Sequence, residues 1–188
     1  MKSLLLLIYR SPVWAVCYLA FFLLLLWAGM NRIRPKGWQT VNRILIPLAA
    51  AGILLVTLSG RSTDGAHISY PIPFSVWKRA LGQPEYYREM LMNCFLFQPF
   101  GMAFPYLLPK MYGTAERIVA AISAALILSA GIELIQYRLN LGSFETDDIL
   151  CNASGALFGA SHLLLAHFLP CIIDFFSAVG KRIGKDRK

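Results

Sequence analysis

The sequence contains little charge and none of the common catalytic or metal-binding motifs. Of its 188 residues only 15% are charged, whereas soluble proteins average about 25%. It contains no glycine-rich phosphate-binding loop, no G-x-S-x-G and no H-E-x-x-H, and its four cysteines form no C-x-x-C pair. These absences argue against nucleotide-dependent enzymes, serine hydrolases and zinc proteins, and we expect neither a metal nor another cofactor.

Hydrophobic residues, in contrast, make up 57% of the sequence and are concentrated in long runs. A helix that crosses a bilayer needs about 20 mostly apolar residues. The sequence therefore predicts an all-α integral membrane helical bundle, with residues 1–188 forming a single transmembrane domain. The third of five expected spans contains two prolines, so a kink is expected there. The five spans are Pro12–Gly29, Ile44–Ser59, Leu91–Leu108, Ile118–Tyr137 and Ile149–Phe176.

The positions of lysine and arginine predict the orientation of these spans, because basic residues are enriched on the cytoplasmic side. The link after the first span and the basic tail 177–188 are the most strongly basic segments. With these two segments inside, the link between spans three and four, with Lys110 and Arg117, is also inside. The cytoplasmic side then holds eleven of the 18 lysines and arginines but only three acidic residues. The amino terminus is then outside and the carboxyl terminus cytoplasmic. The basic excess reflects topology, and no nucleic-acid partner is expected.

The same orientation makes residues 60–88 an external segment that is rich in aromatic residues and proline. Tyrosine and tryptophan favour the headgroup level of a bilayer. We therefore expect this segment to lie along the outer surface, with a helical part near Ser75–Leu81.

Unusual polar residues occur inside or at the ends of spans three to five. Amides and carboxylates in a membrane segment are costly and tend to mark functional sites. In the predicted orientation all of them lie on the extracytoplasmic side. Asp147 and Arg138 are expected to take secondary roles beside a polar cup that binds a ligand. The residues expected to line this cup are Asn93, Glu133, Gln136, Asp148 and Asn152.

Structural explanations compete with ligand binding at several of these positions. Gln136 and Asn152 are equally suited to hydrogen bonds between helices, and Asp147 or Asp148 is suited to capping the start of span five. Glu133 has the weakest structural explanation, because an acidic side chain just inside a span costs about 2–3 kcal/mol. Arg138 is a candidate ion-pair partner for it.

Small residues on the same spans favour close helix packing. Gly155 and Gly159 continue the face of Asp148 and Asn152 at helical spacing and form a G-x-x-x-G seam. Such a seam lets another backbone approach closely. On span three, Pro99 and Gly101 are assigned to packing in the same way.

Three blocks in this order resemble the VanZ-like membrane proteins. They are N-C-F-L-F-Q-P-F-G from Asn93, I-E-L-I-Q from Ile132, and F-E-T-D-D-I-L-C-N-A-S-G-A-L-F-G from Phe144. The resemblance covers roughly residues 40–165. Some members carry an arginine shortly before the paired acids, where this chain has Leu141-Gly142-Ser143. The family's signature positions correspond to Asn93, Pro99, Gly101, Glu133, Gln136, Asp148, Asn152 and Gly155.

The resemblance implies a multi-pass protein of the bacterial plasma membrane, in a family whose named member is associated with low-level teicoplanin resistance. The expected partner is a membrane lipid, a lipid-linked envelope precursor or a lipoglycopeptide at the outer leaflet. One alternative is an enzyme that acts on a lipid-linked precursor with two carboxylates as acid and base. Two further alternatives are a transporter or channel and a polar cluster that has only a structural role. No catalytic residue is assigned.

Overall fold

The computed structural model describes residues 13–33, 35–59, 68–75, 84–109, 111–168 and 170. These residues are mostly helical, as predicted. The basic tail 177–188 lies outside the described residues. Within the described part the helices are α1 (Val13–Ile33), α2 (Pro35–Leu58), α3 (Pro84–Ala103), α4 (Thr114–Arg138) and α5 (Thr146–Ala160).

Three helices are long and apolar enough to cross a membrane, namely Gly37–Leu58, Thr114–Arg138 and Thr146–Phe168. They coincide with the predicted second, fourth and fifth spans, and the last continues α5 past a turn at Ser161. In α1 the apolar stretch is shorter, Leu19–Met30. The membrane character of the fold is therefore confirmed, while the count of five spans and the orientation stay predictions.

Helix α2 begins nine residues before the predicted second span and packs its first turns against α1. Proline is tolerated at a helix start because the first N–H groups have no intrahelical partner, and α2 begins with Pro35. The Trp27 indole N–H donates to Asn42 Oδ1, and Asn42 Nδ2 donates to the Trp38 carbonyl, both at 2.7 Å. The buried Asn42 amide thus joins α1 to α2 with its hydrogen bonds satisfied.

Helices α3 and α5 form the closest pair in the bundle, and they run parallel. A Cβ added at Gly155 would clash with the Cys94 backbone, and one added at Gly159 would clash with the Gln98 backbone. A step of four residues along α5, from Gly155 to Gly159, thus corresponds to a step of four residues in the same direction along α3, from Cys94 to Gln98. Gly101 is in equally close contact with the Ala156 backbone. These glycines allow two backbones to touch, which a larger side chain would prevent.

The two prolines of the predicted third span have different surroundings. Helix α3 continues through Pro99 to Ala103, and Pro99 is exposed on its surface. A short 3₁₀ turn, Phe104–Tyr106, follows and contains the buried Pro105. The helical hydrogen-bond pattern therefore changes after Ala103, close to the second proline.

A buried tyrosine–histidine pair fastens the 3₁₀ turn to the helical segment that follows α5. His162 Nδ1 lies 2.8 Å from the Gly159 carbonyl, and His162 Nε2 lies 3.0 Å from the Tyr106 hydroxyl. Because a carbonyl oxygen can only accept, Nδ1 carries the proton, and in the neutral ring Nε2 accepts from the hydroxyl. Each polar atom of this pair therefore has a partner, and the contact is structural.

Part of the external segment is joined to the start of α5. The two-residue strands β1 (Ser69–Tyr70) and β2 (Phe144–Glu145) pair in parallel, with Ser69 opposite Phe144 and Tyr70 opposite Glu145. Thr146 also donates its hydroxyl to the Pro71 carbonyl at 3.0 Å. This pairing was not predicted. The expected helical part, Ser75–Leu81, lies outside the described residues beyond Ser75.

A left-handed residue turns the chain between α4 and β2. Asn140 has a φ of 56°, and asparagine is among the few residues that tolerate this region. The N–H groups of Asn140 and Leu141 donate back to the carbonyls of Tyr137 and Gln136. This is a Schellman motif, which ends α4 and supplies donors to its last carbonyls. It also directs residues 141–145 back across the end of the bundle.

Candidate functional site

Four helix ends meet at one end of the bundle, which we call the polar end. Gln136 Nε2 donates to the Thr57 carbonyl at 2.9 Å, which links the end of α4 to the end of α2. Glu133 Oε2 accepts the Glu145 N–H at 2.8 Å, which links α4 to the start of α5. Since α3 runs parallel to α5, its start lies at the same end. The structure therefore brings the five predicted cup residues into one region of the molecule.

Glu133 contacts backbone at the start of α5. Its side chain is buried, with 3% of its surface exposed, and Glu145, whose N–H it binds, is the N-cap residue of α5. A carboxylate beside the positive end of a helix dipole is stabilised there. The structure thus supplies the structural partner that the sequence did not reveal for this residue. Arg138, the candidate ion-pair partner, is exposed on the last turn of α4.

Gln136 and Asn152 both make hydrogen bonds between helices. The Thr57 carbonyl bound by Gln136 belongs to the last turn of α2, where carbonyls lack intrahelical donors. Asn152 Nδ2 donates to Ser129 Oγ at 2.8 Å, which joins α5 to α4. Asn152 is 5% exposed, and its Oδ1 has no hydrogen-bond partner in the part of the chain that the structure describes.

The paired aspartates occupy the first turn of α5, and neither is its N-cap. The helix begins at Thr146 after the N-cap residue Glu145, so of the structural alternative the capping position does not apply to either aspartate, whereas a place in the first turn, where the helix dipole favours a carboxylate, applies to both. Asp147 is 1% exposed and accepts a hydrogen bond from the Phe74 N–H. It therefore ties the external segment to α5. Asp148 is half-buried and faces a cavity.

This cavity has a volume of about 570 Å³ and lies between the starts of α3 and α5. Its walls include one guanidinium and three carboxylates. Ser143 Oγ donates to Glu145 Oε1 at 2.6 Å and so orients one of these carboxylates. Within the described residues, no three histidine, cysteine or acidic side chains are placed to hold a metal ion. The lining residues are Arg88, Glu89, Met92, Asn93, Ser143, Glu145 and Asp148.

The cavity contains only part of the predicted polar cup. Asn93 and Asp148 line it, whereas Glu133, Gln136 and Asn152 are not among its described lining residues. Arg88 and Glu89 were missed because both precede the predicted third span, whereas α3 begins seven residues before that span, at Pro84. Glu145 was missed because it precedes α5 in the sequence. The sequence feature that would have identified Glu89 is its i, i+4 spacing to Asn93, which places both on one helix face.

The comparisons with known proteins point to one family. The family model for VanZ/LLP1 matches residues 13–169, which is most of the chain and includes all five α-helices of the described part. No curated protein and no solved structure matched the sequence. The family match agrees with the three sequence blocks and with the apolar helices. The chain therefore belongs to the VanZ/LLP1 family and is a VanZ-like membrane protein.

Proposed function

We propose that this protein binds the polar headgroup of an envelope lipid, a lipid-linked wall precursor or a lipoglycopeptide in the cavity at the polar end. The observation that carries the proposal is the cavity itself. Its volume of about 570 Å³ lies in the range of small-molecule sites, about 300–1,000 Å³. It is at the end of a membrane bundle, where lipid headgroups are within reach. In the proposed orientation this end faces outward from the bacterial plasma membrane.

The residues divide into two groups in this proposal. Asn93, Glu145 and Asp148 line the cavity and contact the ligand. Glu133 holds the backbone of Glu145, and Gln136 holds the end of α2, so both act through other residues. Binding without chemistry is sufficient for a protein that withholds a lipid or an antibiotic from its target. Lowered teicoplanin susceptibility is the phenotype that this activity would produce.

The test is the amount of lipid retained by the full-length protein after purification from its own membrane. We expect Asp148→Asn to reduce retained lipid about tenfold, because hydrogen bonds to charged groups contribute about 1.5–3 kcal/mol. Native mass spectrometry measures the retained species. Glu116→Gln is the matched control, since Glu116 is an exposed carboxylate in the first turn of α4, away from the cavity. Equal lipid retention by both variants at equal folded abundance would overturn the proposal.

The same pair of variants tests the phenotype. In a host whose teicoplanin susceptibility falls when the wild-type protein is expressed, Glu116→Gln should preserve the effect and Asp148→Asn should remove it. Membrane abundance must be matched by quantitative immunoblotting. If Asp148→Asn lowers teicoplanin susceptibility as much as the wild type does, the cavity is not required for the phenotype.

A second candidate function is catalysis on a lipid-linked precursor. Glu145 and Asp148 line the same cavity, and two carboxylates are sufficient for general acid–base chemistry. This function predicts that overproduction of the wild-type protein changes the profile of lipid-linked precursors, and that overproduction of Asp148→Asn leaves the profile unchanged. A precursor profile that stays constant in both cases would favour binding alone.

A further inference from the structure

Two cysteines meet between the first halves of α3 and α5. Cys94 lies on α3 and Cys151 on α5, both in the thiol form, and their side chains are hydrogen-bonded to each other. Cys151 is 2% exposed, whereas Cys94 is partly exposed. Because the two positions are far apart in the sequence and belong to no C-x-x-C motif, only the packing of the helices brings them together.

The contact between the helix backbones explains why the two side chains meet. A Cβ added at Gly155 would lie nearest to the Cys94 carbonyl oxygen, then to the carbonyl carbon and the Cα. A helical carbonyl points toward the carboxyl end of its helix, and a side chain leans toward the amino end. The Cys94 side chain is therefore nearer the helix starts than Gly155 is. Cys151 precedes Gly155 by four residues on the same face of α5, so both thiols lie at one level of the parallel pair.

This arrangement has the geometry that a disulfide needs. The two Cα atoms of a disulfide are roughly 4.4–6.8 Å apart, and helices whose backbones touch meet this requirement at positions on one level. The thiols also lie beside the cavity. Cys94 follows Asn93, and Cys151 is one helical turn after Asp148, and both of these neighbours line the cavity.

We infer that Cys94 and Cys151 form a reversible disulfide that joins α3 to α5 at the polar end. The inference does not depend on the ligand proposed above. In the predicted orientation the polar end is extracytoplasmic, where disulfides form and persist. The oxidant is an external disulfide, carried by a thiol oxidoreductase or by a small molecule. The bond fixes the spacing of the two helices whose starts enclose the cavity.

The exposure of the two thiols determines the order of the exchange steps. The Cys94 thiolate attacks the external disulfide, which forms a mixed disulfide on Cys94 and releases one thiolate. The Cys151 thiolate then attacks the Cys94 sulfur and releases the second thiolate. The external disulfide thus gains two electrons and the two thiol protons, and the protein gains one disulfide. Cys94 reacts first because Cys151 is buried.

The experiment counts reactive cysteines in the full-length protein. Cys17→Ala and Cys171→Ala leave only the pair. Spheroplasts that express this variant are treated with oxidised glutathione, which stays outside the plasma membrane, then quenched with acid, denatured and labelled with a maleimide. We expect the number of labelled cysteines to fall from two to none and dithiothreitol to restore both. Intact-mass spectrometry distinguishes the disulfide, which lacks two hydrogen atoms, from glutathione adducts. Two labelled cysteines after oxidation would overturn the inference.

Single substitutions in the same background test the order of reaction. Cys151→Ser should trap a glutathione adduct on Cys94, because the second thiolate is missing. Cys94→Ser should leave Cys151 without an adduct in the folded protein, because Cys151 is 2% exposed. An adduct on Cys151 but none on Cys94 would contradict the proposed sequence of steps.

Thermal unfolding in detergent tests whether the fold is built for this bond. A disulfide that matches the native spacing typically contributes 2–4 kcal/mol, so oxidation of the pair should raise the unfolding temperature by about 5 °C or more. Cys94→Ser should show no response to oxidant, and Cys17→Ala in the otherwise wild-type chain should respond as the wild type does. A lower unfolding temperature in the oxidised protein would show that the bond distorts the contact between α3 and α5, which would overturn the inference.

Discussion

At the scale of single residues, the polar end shows that a costly side chain in a membrane protein need not contact a ligand. Glu133 binds the Glu145 backbone and Gln136 binds the Thr57 backbone. Both therefore satisfy helix ends, where backbone groups lack intrahelical partners. The residues that face the cavity, such as Glu145 and Asp148, lie in the chain segment that these contacts hold in place.

The role of Glu133 can be tested by comparing two substitutions. Glu133→Ala leaves the Glu145 N–H without its acceptor and should lower the free energy of unfolding by about 1–3 kcal/mol. Glu133→Gln keeps an oxygen acceptor and should retain most of the stability. Thermal unfolding of the purified protein in detergent measures both. Equal destabilisation by the two variants would contradict a hydrogen-bonding role and would indicate that the charge itself is required.

The residue scale also separates what could be predicted from what could not. The sequence indicated that Glu133, Gln136, Asp148 and Asn152 are unusual, because the cost of burying them is a property of the residue types. It did not indicate their partners. Those depend on the rotation of α4 and α5 about their axes and on the path of residues 139–145, which the left-handed Asn140 redirects.

At the scale of helices, the contact between α3 and α5 builds the cavity. The two helices run parallel with their backbones in contact at Gly101, Gly155 and Gly159. Their starts therefore lie side by side, and the cavity occupies the space between those starts. The small-residue patterns on spans three and five were visible in the sequence, but the pairs of positions at which the two backbones meet were not.

Substitution of one glycine should disrupt this pair. Gly155→Ala places a methyl group against the Cys94 backbone, so the helices must move apart, at a cost of about 1–3 kcal/mol. Gly131→Ala on α4 is the matched control, because nothing lies within 4 Å of an added Cβ there. Alanine favours helix over glycine by about 1 kcal/mol, so the control should keep or raise the unfolding temperature. A similar unfolding temperature for Gly155→Ala and the wild type would show that the two backbones are not in contact.

The boundaries of the helices explain the errors in the predicted site. Hydrophobic runs mark where a helix is in lipid, but α3 extends seven residues before its run, through Arg88 and Glu89. The extension is polar and carries no hydropathy signal. The β1–β2 pairing was similarly invisible, because strands of two residues have no detectable periodicity.

At the scale of the whole molecule, the distribution of basic residues predicts that the polar end faces outward. A green fluorescent protein fused to the carboxyl terminus should fluoresce, and alkaline phosphatase fused there should be inactive, since these reporters work in the cytoplasm and outside it respectively. Phosphatase fused after Ser75 in the external segment should be active. The physical reason is the retention of lysine-rich and arginine-rich segments in the cytoplasm. Active phosphatase at the carboxyl terminus would show that the orientation is the opposite one, with the cavity on the cytoplasmic side.

The sequence by itself determined that this is a helical membrane protein of the VanZ/LLP1 family, because run length, residue type and motif order are local properties of the chain. It also indicated the region in which the site would lie. Only the tertiary structure decided which acids face the cavity and which hold helix ends. That distinction depends on where α3 and α5 begin, on their parallel contact, and on the turn at Asn140, all of which are set by packing between segments distant in sequence.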